Sequence, residues 1–288
     1  MKRLTDTFTM NNGNTIPCIG FGTWKAPDNA ITEEATRQAI LAGYRHIDTA
    51  AVYKNEDAVG DGFQKGMKEA GLKREELFLT TKVWCNRKGY DAAMESVKES
   101  MRKLKVDYLD LLLIHWPADT ASQADGSWAE KNRETWRAME EMYKEGILKN
   151  IGLSNFWKEH IEALDYTIQP QVDQLENHPG YVQTEMIDYC KEHDILVEAW
   201  SSLGSGAVLA DPFLNEIAQK YGKSTAQICV RFCLQLGILP LVKSVHADRI
   251  RSNAEVFDFE LTEADMQAIL SMQQTGFSGL RPDGKLPF

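Results

Sequence analysis

The chain alternates between short apolar runs and amphipathic stretches, and this alternation limits the possible folds more than any other feature. Runs such as "LFLTTKVW", "LDLLLIHW" and "ILVEAW" are typical of buried parallel strands. Stretches such as "AAMESVKESMRKLK" and "ETWRAMEEMYKEG" lie between them and have helical periodicity. About eight strand–helix units in 288 residues predict an α/β protein with a (β/α)8 TIM barrel.

A doubly wound sheet is the alternative architecture, and it normally carries a GxGxxG after its first strand. "GFGTWKAPD" lacks the third glycine, and "GDGFQKG" has the wrong spacing and falls inside a helical pattern. Before the barrel, "FTMNNGNTIPCIGFG" predicts an N-terminal β-hairpin. After the barrel we expect an extra C-terminal helix and tail. No linker-like segment divides the chain, so we expect residues 1–288 to form one domain.

Composition and charge exclude several classes of partner. The formal net charge of -10 argues against a nucleic-acid or anionic-membrane surface. No apolar run approaches membrane-spanning length, and "MKRLTDTFTMNNG" has no apolar core, so we expect neither a transmembrane segment nor a secretory signal. The five cysteines are scattered without a CxxC, which favours reduced thiols in a cytoplasmic protein and gives no reason to expect a metal site.

Polar residues interrupt the predicted strands near their C-terminal ends, which form the active-site face of a TIM barrel. Those residues are Asp48, Lys82, His115, Ser154, Asn155, Gln174, Glu176, His178, Ser201, Lys243 and Ser244. Each alone has an ordinary explanation, such as a solvated loop carboxylate or a core histidine. Together they predict a site, because a buried Asp48 needs a cation and a buried Lys82 needs an anion.

Seven segments then resemble, in order, the signatures of the aldo-keto reductase family. They are "GFGTW", "GYRHIDTAAVYKNE", "LTTKVW", "IHWP", "IGLSNF", "QLENHP" and "VKSVHADRIRSN", and they span the whole chain. The resemblance implies the reduction of aldehydes or ketones to alcohols with NADPH, as in prokaryotic-type members acting on 2,5-diketo-D-gluconate or methylglyoxal. It also implies four catalytic residues, namely Tyr53, Asp48, Lys82 and His115.

The chemistry of these four residues is consistent with that reaction. A carbonyl group that accepts hydride at carbon needs a proton at oxygen, and Tyr53 can donate it. We expect Lys82 to stabilise the phenolate and bring the pKa of Tyr53 closer to working pH, while Asp48 keeps Lys82 charged. His115 is expected to orient the carbonyl. Relatives that reduce carbon–carbon double bonds resemble this pattern with Glu in place of the histidine, so His115 favours carbonyl reduction.

The resemblance also implies a set of cofactor-binding residues. They are Thr23, Trp24, Ser154, Asn155, Gln174, Trp200, Ser201, Leu203, Lys243, Ser244, Val245, Arg249 and Asn253. Among them, Ser154, Asn155 and Gln174 should hold the carboxamide, and Trp200 should stack on the nicotinamide ring. Ser202 stands where many relatives have proline.

The adenosine end of the cofactor is assigned to the basic segment after the eighth strand. By resemblance, Lys243, Ser244 and Arg249 bind the 2′-phosphate, and Asn253 lies near the adenine. Lys243, Arg249 and Arg251 lie close together in this segment although the protein as a whole is acidic. This supports the assignment, because Arg and Lys side chains bind phosphate well. Ser252 replaces an acidic residue that often contacts the adenine, which weakens the expected preference for NADPH over NADH.

Substrate contacts are expected from Trp24, Trp84, His115 and Trp116, because the tryptophans follow three different strands at one barrel mouth. The short tail "GFSGLRPDGKLPF" predicts an open site for small dicarbonyls, aromatic aldehydes and keto-sugars.

Two alternatives come from other functional classes. A barrel lysine at a strand end can form a Schiff base, which would make the protein a lyase acting through Lys82. A non-catalytic NADPH-binding sensor or scaffold is the other. We expect a monomer that binds a small carbonyl compound.

Overall fold

Eight parallel strands close into a barrel in the computed structural model, which describes residues 1–26 and 29–283. The barrel strands are Gly20–Gly22 (β3), His46–Asp48 (β4), Phe78–Val83 (β5), Leu111–Ile114 (β6), Ile151–Ser154 (β7), Val172–Glu176 (β8), Leu196–Trp200 (β9) and Leu239–Val242 (β10). Their order around the barrel is β10-β3-β4-β5-β6-β7-β8-β9. This closed parallel arrangement confirms the predicted (β/α)8 fold.

Helices surround the barrel and follow its strands. They are Asn29–Leu41 (α1), Glu56–Glu69 (α2), Tyr90–Leu104 (α3), Thr120–Asp125 (α4), Trp128–Lys144 (α5), Lys158–Glu162 (α6), Thr184–Glu192 (α7), Pro212–Tyr221 (α8), Thr225–Gln235 (α9), Ala247–Ser252 (α10) and Glu263–Leu270 (α11). Helix α11 is the predicted C-terminal addition, and the Thr262 side chain caps its N-terminus by accepting a hydrogen bond from the backbone nitrogen of Asp265. No helix in the described ranges is long and apolar enough to cross a membrane.

The predicted hairpin pairs Thr7–Thr9 (β1) with Thr15–Pro17 (β2) in antiparallel register. Its residues Met10 and Ile16 pack inside the barrel against Phe78, Leu113 and Leu241. The hairpin therefore closes the N-terminal end of the barrel with an apolar plug, and the polar residues occupy the opposite half.

The glycines of "GDGFQKG" serve helix packing. A Cβ on Gly60 would lie 2.6 Å from the backbone oxygen of Lys103, and one on Gly62 would lie 2.3 Å from that of Glu33. Only glycine permits such close approach of α2 to its neighbours. The segment lies inside α2, in agreement with its exclusion as a dinucleotide motif.

Candidate active site

Three barrel strands and one short turn bring the four predicted catalytic residues together. Asp48 ends β4, Lys82 lies near the end of β5, and His115 directly follows β6. Tyr53 lies in a 3₁₀ turn, Ala51–Tyr53, just after β4. Asp48, Tyr53 and His115 line one cavity at the C-terminal end of the barrel. Lys82 lies behind its wall, in contact with Asp48 and Tyr53.

Lys82 is almost fully enclosed, and its ammonium group is saturated with acceptors. Its Nζ donates to Asp48 Oδ1 and Oδ2, both at 2.7 Å, and to the backbone oxygen of Thr49 at 2.9 Å. Burial by itself would lower the pKa of Lys82, but the Asp48 carboxylate reverses this effect and the pKa lies above its usual value. The expectation that Asp48 and Lys82 provide each other's counter-charge is confirmed.

Tyr53 lies directly beside this pair. Its Oη is 3.5 Å from Lys82 Nζ. Burial raises the pKa of Tyr53 to about 12, and the Lys82 ammonium only partly opposes this. Lys82 lowers the pKa of Tyr53 as expected, but burial outweighs this effect, so the pKa is not brought closer to working pH. The phenol is fully protonated at neutral pH, as a proton donor must be.

His115 faces Tyr53 and Trp84 across the cavity. Its ring centroid lies 5.6 Å from that of Tyr53 and 5.1 Å from that of Trp84. Burial, with Lys82 nearby, keeps the pKa of His115 well below 6.5, so the imidazole is neutral at neutral pH. Its Nδ1 has no hydrogen-bond partner among the described residues.

Aromatic side chains form the walls of the cavity, which has a volume of about 330 Å³. Trp24, Trp84, Trp116 and Trp200 all line it. The rings of Trp24 and Trp116 stand edge-on to Trp200, with centroids 5.9 Å and 6.4 Å away. The three predicted substrate-wall tryptophans thus meet at one mouth, as their strand positions suggested.

A connected group of polar side chains lies beside Trp200. Asn155 Nδ2 donates to the His115 backbone oxygen at 3.1 Å and to Ser154 Oγ at 3.0 Å. Trp200 Nε1 donates to Asn155 Oδ1 at 2.7 Å. Gln174 lines the same region. These contacts fix the indole and amide groups to which the sequence assigned the nicotinamide ring and its carboxamide.

The other predicted cofactor residues divide into two groups. Ser201, Leu203 and Lys243 line the cavity. The remaining ones, Thr23, Ser244, Val245, Arg249 and Asn253, lie off its walls. Thr23 is buried, and its hydroxyl donates to the backbone oxygen of Asp48 at 3.0 Å, so in the described structure it supports the catalytic strand. Arg249 lies on the exposed face of α10.

Several cavity residues were not found from the sequence. They are Gly22, Lys25, Val52, Ser202, Ser205, Gly206, Leu209, Leu241 and Leu280. A backbone signal marks the mouth: Lys25, Asn155, Ser201 and Ser205 all have positive φ although none is glycine. Such conformations concentrate at functional sites, but non-glycine residues give no sequence indication of them.

Ser202 shows what replaces the proline of many relatives. Its hydroxyl is buried and donates to the backbone oxygen of Leu241 at 2.5 Å, which links the segment after β9 to β10.

Among the described residues, no cluster of histidine, cysteine and carboxylate side chains is arranged to hold a metal ion.

Comparisons with known proteins agree with this geometry. The model of the aldo/keto reductase family matches residues 18–274. A glyoxal reductase of Bacillus subtilis is 43% identical over 282 residues, which cover 97% of each chain. An aldo-keto reductase of Bombyx mori, solved in complex with NADP, is 35% identical with a TM-score of 0.84 over 92% of each chain. A variant of Gox0644, solved in complex with NADPH, is 38% identical with a TM-score of 0.88 over 99% of each chain. The chain therefore belongs to the aldo/keto reductase family.

Proposed function

We propose that this protein is an NADPH-dependent reductase that converts small aldehydes and ketones, including dicarbonyls, to alcohols. The observation that carries the proposal is the contact of Tyr53 with the Lys82–Asp48 ion pair at the base of a tryptophan-lined cavity. His115 lies on the other side of Tyr53. The glyoxal reductase among the relatives supports the dicarbonyl class.

The described residues fit a nicotinamide cofactor. The cavity offers an aromatic face, Trp200, next to the amide and hydroxyl groups of Asn155 and Ser154. The cations Lys25 and Lys243 line the same cavity, and such side chains suit the phosphates of a dinucleotide. When bound, NADPH supplies the hydride, which no protein side chain provides.

In the proposed reaction, Tyr53 gives its phenolic proton to the carbonyl oxygen as the carbonyl carbon is reduced. Lys82 then stands 3.5 Å from the phenolate oxygen and stabilises its negative charge. The neutral His115 donates from Nε2 to the same carbonyl oxygen and holds it towards Tyr53. The indole rings that line the cavity give it apolar walls, which strengthens both interactions.

The contacts of Lys82 disfavour the Schiff-base alternative. A nucleophilic amine must be neutral, yet this ammonium group donates to three oxygens of Asp48 and Thr49, and its pKa is raised. A non-catalytic sensor would have no need of a buried ion pair beside a tyrosine. We therefore retain the sensor only as an outcome of the experiment below.

The test follows NADPH oxidation with methylglyoxal, phenylglyoxal, 4-nitrobenzaldehyde and a diketo-sugar. Tyr53→Phe is the matched variant, because it keeps the ring and removes only the hydroxyl. We expect kcat to fall about 10²- to 10⁴-fold in that variant while it still binds NADPH. Unchanged kcat would refute the role of Tyr53. Absence of turnover by the wild type, despite tight NADPH binding, would instead support the sensor.

A further inference from the structure

A second carboxylate lies inside the barrel beneath the catalytic pair. Glu198, on β9, and His46, on β4, are both 0% exposed and are not part of the cavity wall. Below them the barrel is filled by the apolar plug of the hairpin. A glutamate in this position needs a physical explanation, because an unpaired buried charge is strongly destabilising.

One amide connects Glu198 directly to the catalytic pair. Gln174 Nε2 donates to Asp48 Oδ2 at 3.0 Å and to Glu198 Oε2 at 2.8 Å. Both hydrogens of that amide are thus used to join the two carboxyl groups. Glu198 is therefore separated from the partner of Lys82 by a single side chain.

The other groups around Glu198 leave its second oxygen unsatisfied. Glu198 Oε1 has no hydrogen-bond partner among the described residues, and His46 Nε2 lies 3.9 Å away while it contacts Thr80 Oγ1 at 2.9 Å. From β10, the neighbouring side chains Leu239 and Leu241 are apolar. The titratable groups that face this space are thus His46 and Asp48 from β4 and Lys82 from β5.

The charges of this interior balance only if one carboxyl group is protonated. Lys82 is the cation, and burial holds the pKa of His46 at about 3, so His46 is neutral. Burial, followed by repulsion from Asp48, raises the pKa of Glu198 to about 8. Because Asp48 has the direct contacts with Lys82, Glu198 is the group that retains its proton at neutral pH.

We propose that Glu198 is a positioning residue for the reductase. It carries a proton at neutral pH, and when Glu198 ionises, its negative charge destabilises the Tyr53 phenolate. The inference rests on the proposed function, because it acts through Tyr53. An ionised Glu198 places a second negative charge in the barrel interior, and this charge makes the tyrosine proton harder to remove. The effect should be largest in the oxidation of alcohols, where Tyr53 must accept the proton as a base.

The test compares Glu198→Gln with the wild type in alcohol oxidation by NADP between about pH 6.5 and pH 9.5. The glutamine keeps an oxygen acceptor for Gln174 and removes only the ionisation. We expect the rate of the variant relative to the wild type to increase about tenfold across this range, since only the wild type gains the opposing charge. A relative rate that stays constant with pH would overturn the proposal.

Asp173→Asn is the matched control. Asp173 is equally buried on the neighbouring strand β8, but it alternates with Gln174 and faces the helix layer near Cys190. Its pKa is raised well above the usual value by burial, and it has no contact with Lys82. We expect the control to keep the pH profile of the wild type. A wild type that is inactive would refute the proposed function, and a fully active Tyr53→Phe variant would refute the role of Tyr53 within it. A pH-independent effect in an active Glu198→Gln would refute only the role of Glu198.

If Glu198→Gln does not fold, infrared spectroscopy of protein labelled with ¹³C-glutamate tests whether Glu198 carries a proton at neutral pH. The measurement uses a Glu56→Gln background, because Glu56 is the other described glutamate whose pKa burial raises. A labelled carboxylic-acid band that is present at neutral pH and disappears above about pH 8 supports the proposal. Absence of that band at neutral pH overturns it.

Discussion

Lys82 and Asp48 form a bidentate ion pair inside the barrel, with Nζ 2.7 Å from each carboxylate oxygen. The side chains are 0% and 4% exposed, so water screens the pair very little. A buried pair of this kind has a large desolvation cost, which its own contacts must offset. Its presence beneath Tyr53 therefore points to chemistry more than to stability.

Breaking this pair on one side should destabilise the fold. Lys82→Met leaves Asp48 buried without its cation, and we expect the free energy of unfolding to fall by about 3–5 kcal/mol. Urea denaturation at pH 7 measures the change. The double variant Asp48→Asn with Lys82→Met removes both charges and should lose less stability than Lys82→Met alone. A double variant that is the less stable of the two would contradict this account.

Lys88 should make stability depend on pH in the alkaline range. It is buried without a carboxylate, and its Nζ donates to the backbone oxygen of Pro117 at 2.6 Å and to Asn132 Oδ1 at 3.0 Å. Burial lowers the pKa of Lys88 from 10.5 to about 8. Between these values the unfolded chain binds more protons than the native protein, so stability from this group increases as pH rises from about 8 to 10.5.

Lys88→Gln isolates that contribution, because the other titrating groups are common to both proteins. We expect the unfolding free energy of the wild type, minus that of the variant, to become more positive as the pH is raised through this window. The slope should be up to about 1.4 kcal/mol per pH unit. A difference that is flat with pH, or that falls, would show that Lys88 does not lose its proton in the native state.

The sequence placed Asp48, Lys82 and His115 at one end of the barrel because each lies at the end of an apolar strand, whereas the role proposed for Tyr53 came from the resemblance to the family. Asp48 and Lys82 end neighbouring strands and require each other, so their contact follows from charge alone. The pKa of Tyr53 could not be obtained in this way. Its direction depends on how completely packing removes water from the phenol, and local sequence does not encode that.

The start of α1, the backbone conformation at the cavity mouth and the role of Glu198 could not be predicted from local sequence either. Thr32 precedes two glutamates, a pattern that predicts a helix N-cap, but α1 already begins at Asn29 and Thr32 is buried within it, so that prediction is wrong. The mouth residues Lys25 and Ser205 adopt positive φ that the surrounding structure imposes. Glu198 did leave a signal, a carboxylate inside the apolar run "ILVEAW", but its meaning required the contact with Gln174.

The C-terminal tail should contribute to substrate choice through Glu176. That buried carboxylate accepts hydrogen bonds from the backbone nitrogen of Ser278 at 2.9 Å and from Ser278 Oγ at 2.6 Å. Phe277 stacks on Tyr181, and Leu280 lines the cavity. Glu176 thus holds the segment that places an apolar side chain at the mouth.

Glu176→Ala removes both oxygens that accept hydrogen bonds from Ser278. We expect KM for 4-nitrobenzaldehyde to rise about three- to tenfold, since loosening the tail removes apolar contact, with a smaller change for methylglyoxal. Ser278→Ala keeps the backbone hydrogen bond and should give a weaker effect. Equal changes for both substrates would argue that the tail does not contact them.

Arg249 should discriminate between the two nicotinamide cofactors. It is exposed on α10, and the resemblance to the family implies that it binds the 2′-phosphate, a group that NADPH has and NADH lacks. Loss of one charge-assisted hydrogen bond in Arg249→Ala should raise the Kd for NADPH about tenfold and leave that for NADH within about twofold, as measured by fluorescence titration. Arg251→Ala is the control, because Arg251 on the same short helix donates to Asp248 at 2.7 Å. If both cofactors weaken equally, or if Arg251→Ala matches Arg249→Ala, then Arg249 acts through the general charge of the surface and the 2′-phosphate is bound elsewhere.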